Sequence, residues 1–411
     1  MQTNLAQWAR DSKLGQQAND ILRRCVHCGF CTATCPTYQV LGDELDGPRG
    51  RIYLIKEVLE GNEPTRATQQ HLDRCLTCRN CETTCPSGVQ YGHLIDIGRQ
   101  IVEQKVQRPV VEQLMRKALR RGLTSILFAP AYKVGQAVRG WLPQTLARKV
   151  LARRDTGVRP STRLHARQIL ILAGCVQPTM MPTIDAATIR VLDRLGIGTQ
   201  VVQGAGCCGA LNFHLDDQDT ALNQMRTNID AWLPWLESGK IEAIVMNASG
   251  CGAMVAEYAY HLRDDPEYKV KAEKVVARVR DIAELVAPHA EALARQIDPA
   301  RLPKRPVFHP PCTLQHWQGL RPLSEQLLAQ LGLHLQPFTD SHLCCGSSGT
   351  YSVLQPEIST TLRDRKLANL DEARPDVMMS SNIGCIGHLQ SGTDTPVRHW
   401  IEVVDAALLA V

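Results

Sequence analysis

The sequence predicts an α+β fold in several domains, with a helix-rich N-terminal domain followed by two copies of an α/β domain. Three observations support this prediction. A length of 411 residues allows two or three domains, each with its own core. Eight of the 16 cysteines lie in the first 85 residues, in a motif that occurs twice. The other eight form a second, longer repeat between positions 175 and 385.

The composition excludes several classes of protein. A hydrophobic content of 44% and a charged content of 21% match a globular chain and exclude a collagenous or wholly disordered one. No run of about 18 apolar residues is present, and residues 1–17 lack the pattern of a signal peptide. We therefore expect a cytoplasmic chain. Because disulfides are disfavoured there, its cysteines indicate metal sites, clusters or reactive thiols.

The N-terminal motif is Cys-x2-Cys-x2-Cys-x3-Cys-Pro, the spacing of bacterial ferredoxins for [4Fe–4S] clusters. The two copies are offset by 50 residues: Cys25, Cys28, Cys31 and Cys35, then Cys75, Cys78, Cys81 and Cys85. The fourth cysteine of such a motif ligates the partner cluster. We therefore expect one cluster on Cys25, Cys28, Cys31 and Cys85, and the other on Cys35, Cys75, Cys78 and Cys81. Zinc sites, as in a scaffold or interaction protein, are the alternative, but zinc favours two Cys-x2-Cys pairs per ion.

The segment between the motifs predicts a helix, because Pro48 suits a first helical position and Gly61 a position just past the end. The N-terminal part is therefore predicted to be a helix-rich two-cluster ferredoxin domain. His27, Arg79 and Asn80 lie inside the ligand loops. They either tune the potential by hydrogen bonds to sulfur or are exposed loop residues, and both interpretations stay open.

The last eight cysteines form the second repeat. Cys175, Cys207 and Cys208 recur at an offset of 137 as Cys312, Cys344 and Cys345, and Cys251 recurs at an offset of 134 as Cys385. Apolar runs before these cysteines predict strands at 168–172, 199–203, 241–246, 306–309, 333–336 and 377–379.

Strands that alternate with helices predict parallel sheets, whose carboxyl ends share one edge. We therefore expect two sites. One holds Cys175, Cys207, Cys208 and Cys251, and the other holds Cys312, Cys344, Cys345 and Cys385. Each is an iron–sulfur cluster or a redox-active thiol site. Buried structural cysteine is the alternative.

Residues 204–209 match the G-x-G-x-x-G pattern of dinucleotide sites, but residues 341–346 of the second copy lack its first two glycines. The match is therefore better explained by the Cys-Cys-Gly element. No nucleophile with a partner base is identifiable, so we assign no catalytic residue. We predict a chain that carries electrons without substrate chemistry.

Residues 108–168 hold 14 Lys and Arg but only two acids, Glu112 and Asp155. This basic segment suits an anionic membrane surface or an acidic partner, and a solvated helical linker is equally open. We expect no nucleic-acid partner. The predicted domains are 1–107 (helical ferredoxin-like), 108–166 (basic helical linker), 167–300 (first Cys-Cys-Gly domain) and 301–411 (second Cys-Cys-Gly domain).

This layout resembles the iron–sulfur subunits of flavin-linked dehydrogenases, above all the glycolate oxidase (glycolate dehydrogenase) family. The stretches that carry the resemblance are 25–38, 42–52, 73–88, 341–346 and 397–402. Heterodisulfide reductase and glycerol-3-phosphate dehydrogenase subunits share the layout and are the alternatives. Heterodisulfide-type domains end in Cys-x2-Cys, whereas Ala248 and Asn382 stand at the first of those positions here. Four cysteines remain in each copy, enough for an ordinary cube or a thiol site.

The resemblance implies two [4Fe–4S] clusters on this chain. One or two more would lie in the Cys-Cys-Gly domains if those cysteines bind clusters and are not thiol sites. It also implies FAD on two partner subunits that oxidise glycolate to glyoxylate, with D-lactate as an alternative substrate. This chain would pass their electrons to a membrane acceptor such as quinone. It would then associate peripherally with the cytoplasmic face of the inner membrane.

Overall fold

The computed structural model describes residues 1–143, 147–148, 150–158 and 165–409. Part of the predicted basic linker, at 144–146, 149 and 159–164, therefore lies outside the described residues. The chain divides into two compact units. The first is Met1–Ala118 with His342–Lys366, and the second is Leu119–Ser341 with Leu367–Val411. Helices and small parallel sheets together confirm the α+β class.

Helices make up most of the chain. The helices before the first cysteine-rich copy are α1 Gln7–Asp11, α2 Lys13–Arg24, α3 Phe30–Ala33, α4 Pro36–Leu41, α5 Pro48–Leu59, α6 Arg66–Asp73, α7 Asn80–Thr83, α8 Tyr91–Lys105, α9 Val110–Thr124 and α10 Phe128–Ala137. Those of the first cysteine-rich copy are α11 Gln177–Met180, α12 Pro182–Arg194, α13 Ala210–His214, α14 Gln218–Glu237, α15 Ser249–Ala256, α16 Tyr258–His261, α17 Lys269–Val276, α18 Ile282–Val286 and α19 Ala290–Ala294. The last are α20 Arg321–Gln330, α21 Tyr351–Leu354, α22 Pro356–Asp371, α23 Ile383–Gln390 and α24 Trp400–Ala406.

The core of the first unit lies between α2, α5 and α8. Leu22, Ile55, Leu59 and Leu94 are almost completely buried there, and the removal of their apolar surface from water stabilises the unit. Helix α5 begins with Pro48 in its first turn, as the sequence predicts. The core thereby fixes α5 and α8 beside the loops that carry the first eight cysteines.

The second unit contains two parallel sheets. The strands are β1 Arg167–Ile171, β2 Ile197–Gln200, β3 Ile244–Met246, β4 Val279–Asp281, β5 Pro306–Phe308, β6 Val377–Ser380 and β7 Val397–His399. The first sheet has the order β2-β1-β3-β4 and the second the order β5-β6-β7, and all pairs are parallel. Each copy of the repeat therefore has its own sheet, as predicted.

One predicted strand is wrong and two strands were not predicted. Residues 333–336 form no strand, because the N–H of Leu333 bonds back to the carbonyl of Leu328 and closes α20. Only the N–H of Gln336 reaches β5, at the carbonyl of Pro306 (2.8 Å). Strands β4 and β7 have three residues each and contain charged side chains, so their sequences lack an apolar run.

Candidate iron–sulfur sites

The two N-terminal cysteine loops have the same backbone conformation. His27 and Gly29 have φ values of 60° and 86°, and Thr77 and Arg79, 50 residues later, have 53° and 58°. A positive φ is uncommon outside glycine, so the conformation of each loop is imposed by its surroundings. Residues with positive φ occur in turns whose backbone N–H groups form an anion-binding concavity. The repeated conformation is therefore compatible with loops that surround a negatively charged group.

Each loop borders a pocket of the first unit. The first pocket, of about 440 Å³ and open to solvent, is lined by Cys25, Cys28, Cys31 and Cys85, and also by Cys81. The second, of about 280 Å³, is lined by Cys35, Cys75, Cys78 and Cys81. Each pocket thus contains the four cysteines that the crossed assignment requires. The ligation itself stays a prediction.

The cysteines of these pockets fit a cluster better than free thiols. Burial and the neighbouring cysteines raise the pKa of Cys81 well above its usual value and that of Cys31 to about 11. Without a metal, such thiols keep their protons. Iron supplies the positive charge that holds several crowded sulfurs as thiolates, so the donor set is suited to the [4Fe–4S] group.

Two functional residues of the second pocket were missed by the sequence reasoning. Arg51 is 1% exposed, and its Nε donates to the carbonyl of His71 (2.7 Å). The hydroxyl of Tyr91 is buried and donates to Sγ of Cys75 (3.6 Å). The only signal in the sequence was a charged residue directly before Ile52, on the buried side of a predicted helix. Such a signal does not identify a pocket.

His27, Arg79 and Asn80, which the sequence leaves either as exposed loop residues or as residues that tune the potential, differ in their burial. His27 is exposed, as the loop interpretation expects. Arg79 and Asn80 are buried. The side-chain amide of Asn80 donates to the carbonyls of Thr34 (3.0 Å) and His342 (3.3 Å). Asn80 therefore ties together backbone segments of the first unit.

The first Cys-Cys-Gly copy has its four predicted cysteines together in the second unit. Sγ of Cys207 accepts hydrogen bonds from Cys175 and Cys208, which lowers the pKa of Cys207 and raises the pKa of each donor. Cys208 also contacts Cys251. The side-chain amide of Asn228 donates to the carbonyl of Cys207 (2.9 Å) and so fixes the backbone of this cysteine loop. Four sulfurs at one edge of the sheet are sufficient for a cluster or a redox-active thiol site.

The second copy differs from the first in how its cysteines are distributed. Cys312 and Cys385 lie in the second unit, whereas Cys344 and Cys345 lie in the segment His342–Lys366 of the first unit. All four are buried. Asn382, which stands where heterodisulfide-type domains have a cysteine, donates to Sγ of Cys385 (3.6 Å). This asparagine therefore contacts a predicted ligand instead of replacing one.

Comparison with known proteins agrees with this arrangement. A family described as a 4Fe-4S dicluster domain matches residues 21–89, and a family described as a cysteine-rich domain matches residues 169–256 and 307–390. These matches confirm a two-cluster domain followed by two cysteine-rich domains.

Whole-chain relatives extend the agreement. The chain is 52% identical over 411 residues to the glycolate oxidase iron–sulfur subunit of Escherichia coli (strain K12). The alignment covers 99% of this chain and 99% of the relative. It is 29% identical over 404 residues to the probable glycolate oxidase iron–sulfur subunit of Bacillus subtilis (strain 168), which is 91% of this chain and 89% of the relative. Lactate utilization protein A of Geobacillus thermodenitrificans (strain NG80-2) is 26% identical over 248 residues, 58% of this chain and 98% of the relative. The chain therefore belongs to the family of glycolate oxidase iron–sulfur subunits.

Proposed function

We propose that this chain relays electrons in a flavin-dependent glycolate dehydrogenase, from two FAD-bearing subunits to a membrane acceptor such as quinone. The observation that carries the proposal is the pair of adjoining pockets, each lined by a complete set of four cysteines. Clusters bound there would supply sites for one electron at a time. The family relationship with a glycolate oxidase subunit supports glycolate as the substrate of the complex.

The chain's own residues would hold the clusters and take no part in glycolate chemistry. The eight N-terminal cysteines act as ligands in the crossed pattern. The Cys-Cys-Gly cysteines act as further cluster or thiol sites. D-lactate is the second candidate substrate, because a relative named lactate utilization protein A matches 58% of this chain.

The first test measures electron flow through the second pocket. Cys78→Ala removes one predicted ligand from a half-buried position. In the complex with its flavin subunits, we expect glycolate-driven quinone reduction to fall at least tenfold. Glycolate oxidation by an artificial acceptor that takes electrons at the flavin should be largely unchanged. The matched control is Thr83→Ala, an exposed position at the end of the neighbouring helix α7.

Two results would contradict this function. An equal loss in both assays would make the cluster a structural element of the complex. Glycolate-driven reduction of the isolated chain, without flavin subunits, would favour heterodisulfide-type chemistry at the Cys-Cys-Gly sites. Electron paramagnetic resonance of the anaerobically purified chain reports cluster reduction directly in both experiments.

A membrane acceptor requires that the chain reach the bilayer. No helix among the described residues is long and apolar enough to cross a membrane. The turn between α9 and α10 instead exposes Ile126 (92%) and Leu127 (68%), and Trp141 farther along is 90% exposed. Exposed Arg121 and Lys133 flank the turn. Apolar side chains beside cations, with a tryptophan, suit the surface of an anionic bilayer.

We expect the chain to bind vesicles that contain phosphatidylserine, with an affinity that falls sharply as salt rises. Ile126→Gln combined with Leu127→Gln should weaken binding several-fold, because it removes the apolar contribution. Val270→Gln, another exposed apolar position, on α17, is the matched control. Binding to neutral and anionic vesicles alike would contradict an electrostatic contribution to this contact. No binding at all would favour an acidic protein partner or a solvated linker instead.

A further inference from the structure

The two cysteine loops repeat the same backbone, but their surroundings are not equivalent. Two guanidinium groups line the second pocket, those of Arg51 and Arg79, which are 1% and 6% exposed. Asp46 is a buried carboxylate nearby, and it is shared by Arg51 (3.5 Å) and Arg74 (2.8 Å). Arg51 and Arg74 together carry two positive charges against the single negative charge of Asp46, so this buried group of side chains beside the pocket has a net positive charge.

Side chains also reach the sulfur atoms of the second pocket. The hydroxyl of Tyr91 donates to Sγ of Cys75 (3.6 Å). The hydroxyl of Thr37 lies 3.3 Å from Sγ of Cys35, donates to the carbonyl of Asp46 (2.8 Å) and accepts from Arg51 Nη1 (3.1 Å), so it holds Arg51 beside this sulfur. Hydrogen bonds to ligand sulfurs stabilise their negative charge, which is one of the means by which proteins raise the potential of such clusters.

The backbone carbonyls of the second loop also accept hydrogen bonds from side chains. Three side chains donate to carbonyl oxygens around Cys75: Arg99 to Cys75 (2.6 Å), Ser348 to Leu76 (2.7 Å) and Tyr351 to Arg74 (2.9 Å). Each contact offsets part of the negative charge on an oxygen close to the pocket. Ser348 and Tyr351 belong to the segment that carries Cys344 and Cys345 in the first unit.

The first pocket has weaker positive surroundings. Cys28 is exposed at its edge. The arginine in its lining is Arg49, whose side chain is 38% exposed and paired with Glu44 (2.7 Å). The amino group of Met1 contacts the carbonyl of Cys25, which matches the contact of Arg99 in the other loop. Water and the acidic partner reduce the effect of Arg49 on this pocket.

We propose that the second pocket holds the more readily reduced of the two clusters. Tyr91 lines both pockets, but its hydroxyl donates to Cys75 of the second, and through this bond it is a positioning residue that contributes to the difference. Reduction adds a negative charge. Burial alone opposes that charge, but the guanidinium groups share the same buried volume, where charges interact more strongly than across water. The inference rests on the proposed function only in taking both pockets to hold clusters.

The test is a potentiometric titration of the full chain, purified without oxygen and followed by electron paramagnetic resonance. We expect two reduction steps. Tyr91→Phe removes one hydroxyl and should move the step of higher potential to a more negative value, leaving the other in place. Thr37→Val removes the hydroxyl that accepts from Arg51 and should move the same step, and Thr37→Ser should restore it. Tyr53→Phe, an exposed tyrosine on α5, is the matched control and should move neither.

The assignment of each step to a pocket needs a marker. Cys28→Ser, at the exposed ligand of the first pocket, should change the spectrum of the species with the lower potential. If Cys28→Ser changes the species with the higher potential, or if Tyr91→Phe moves the lower step or neither, the inference is wrong. A chain that contains neither iron nor acid-labile sulfide would instead overturn the proposed function itself.

Discussion

Glycine at the end of each Cys-Cys-Gly element is required by the backbone of that turn. Gly346 has a φ of +87°, and a Cβ atom there would lie 2.5 Å from the backbone oxygen of Ser359. Gly209, in the first copy, has a φ of +92°. Any other residue would carry a conformational cost in this left-handed region, and at Gly346 a steric conflict with backbone adds to it. The glycine thus lets the paired cysteines turn directly into the next segment.

We expect Gly346→Ala to lower the free energy of unfolding by about 3 kcal/mol or more, because both costs apply. Gly349→Ala is the matched control. It has a φ of +60° but no atom within 4 Å of the added Cβ, so it should lose only about 1–2 kcal/mol. Urea unfolding followed by circular dichroism measures both. Equal losses would mean that the contact with Ser359 relaxes without cost.

The sequence identifies the cysteines but not the residues around them. Ligand spacing is a local property, so the sequence alone assigns the eight cysteines between positions 25 and 85 to two loops. Arg51 and Tyr91 reach the second pocket only because α5 and α8 pack against the loops. Such contacts depend on tertiary packing, which the periodicity of a helix does not encode.

Among the elements, the strands show where local patterns are sufficient. Strands β1, β3, β5 and β6 contain buried apolar residues, and the sequence predicts each of them with shifted ends. Strands β4 and β7 were missed because they pair at sheet edges and contain Asp281 and His399, which also cap the helices that follow. A residue with two roles does not show the alternation of a strand.

The cap of helix α18 makes the stability of this element depend on pH. Asp281 is buried, and its Oδ1 accepts from the N–H of Ala283 (2.9 Å). Burial raises the pKa of Asp281 to about 7, and the nearby Glu284 adds to the shift. Between about pH 4 and pH 7 the folded chain therefore binds more protons than the unfolded chain, so stability falls as pH rises.

Asp281→Asn should remove this dependence, because the amide keeps a cap acceptor and has no charge to bury. Above pH 7 we expect the variant to be more stable than the parent chain, by at most about 4 kcal/mol. Below pH 4 the two should be nearly equal. Asp298→Asn is the matched control, because the side chain of Asp298 accepts from the N–H of Ala300 in the same way but is only half-buried. Thermal unfolding across pH 4–9 measures the stability of the parent chain and of Asp281→Asn. A difference between them that stays constant over this range would contradict the raised pKa of Asp281.

At the scale of the whole molecule, the repeat in the sequence predicts two equivalent Cys-Cys-Gly domains, whereas the compact units divide them differently. The segment His342–Lys366 belongs to the first unit. Ser348 and Tyr351 anchor it there through the carbonyls of Leu76 and Arg74. Leu211, the counterpart of Ser348 in the first copy, has no such donor. A leucine in place of a serine is invisible to a search for repeated cysteines, so the predicted domain boundaries stay a prediction.

The iron content of the whole chain separates the roles of the two cysteine repeats. Anaerobically purified chain should contain about 8 iron atoms if only the N-terminal motifs hold cubes, and about 12 to 16 if the Cys-Cys-Gly sites hold clusters too.

Cys208→Ser removes one sulfur from the first Cys-Cys-Gly site without touching the first unit. With a cluster at that site, we expect this variant to lose about 4 iron atoms and an equal amount of acid-labile sulfide. An unchanged iron content would leave the four cysteines as a thiol site. Zinc without sulfide in the parent chain would contradict every cluster proposed for it.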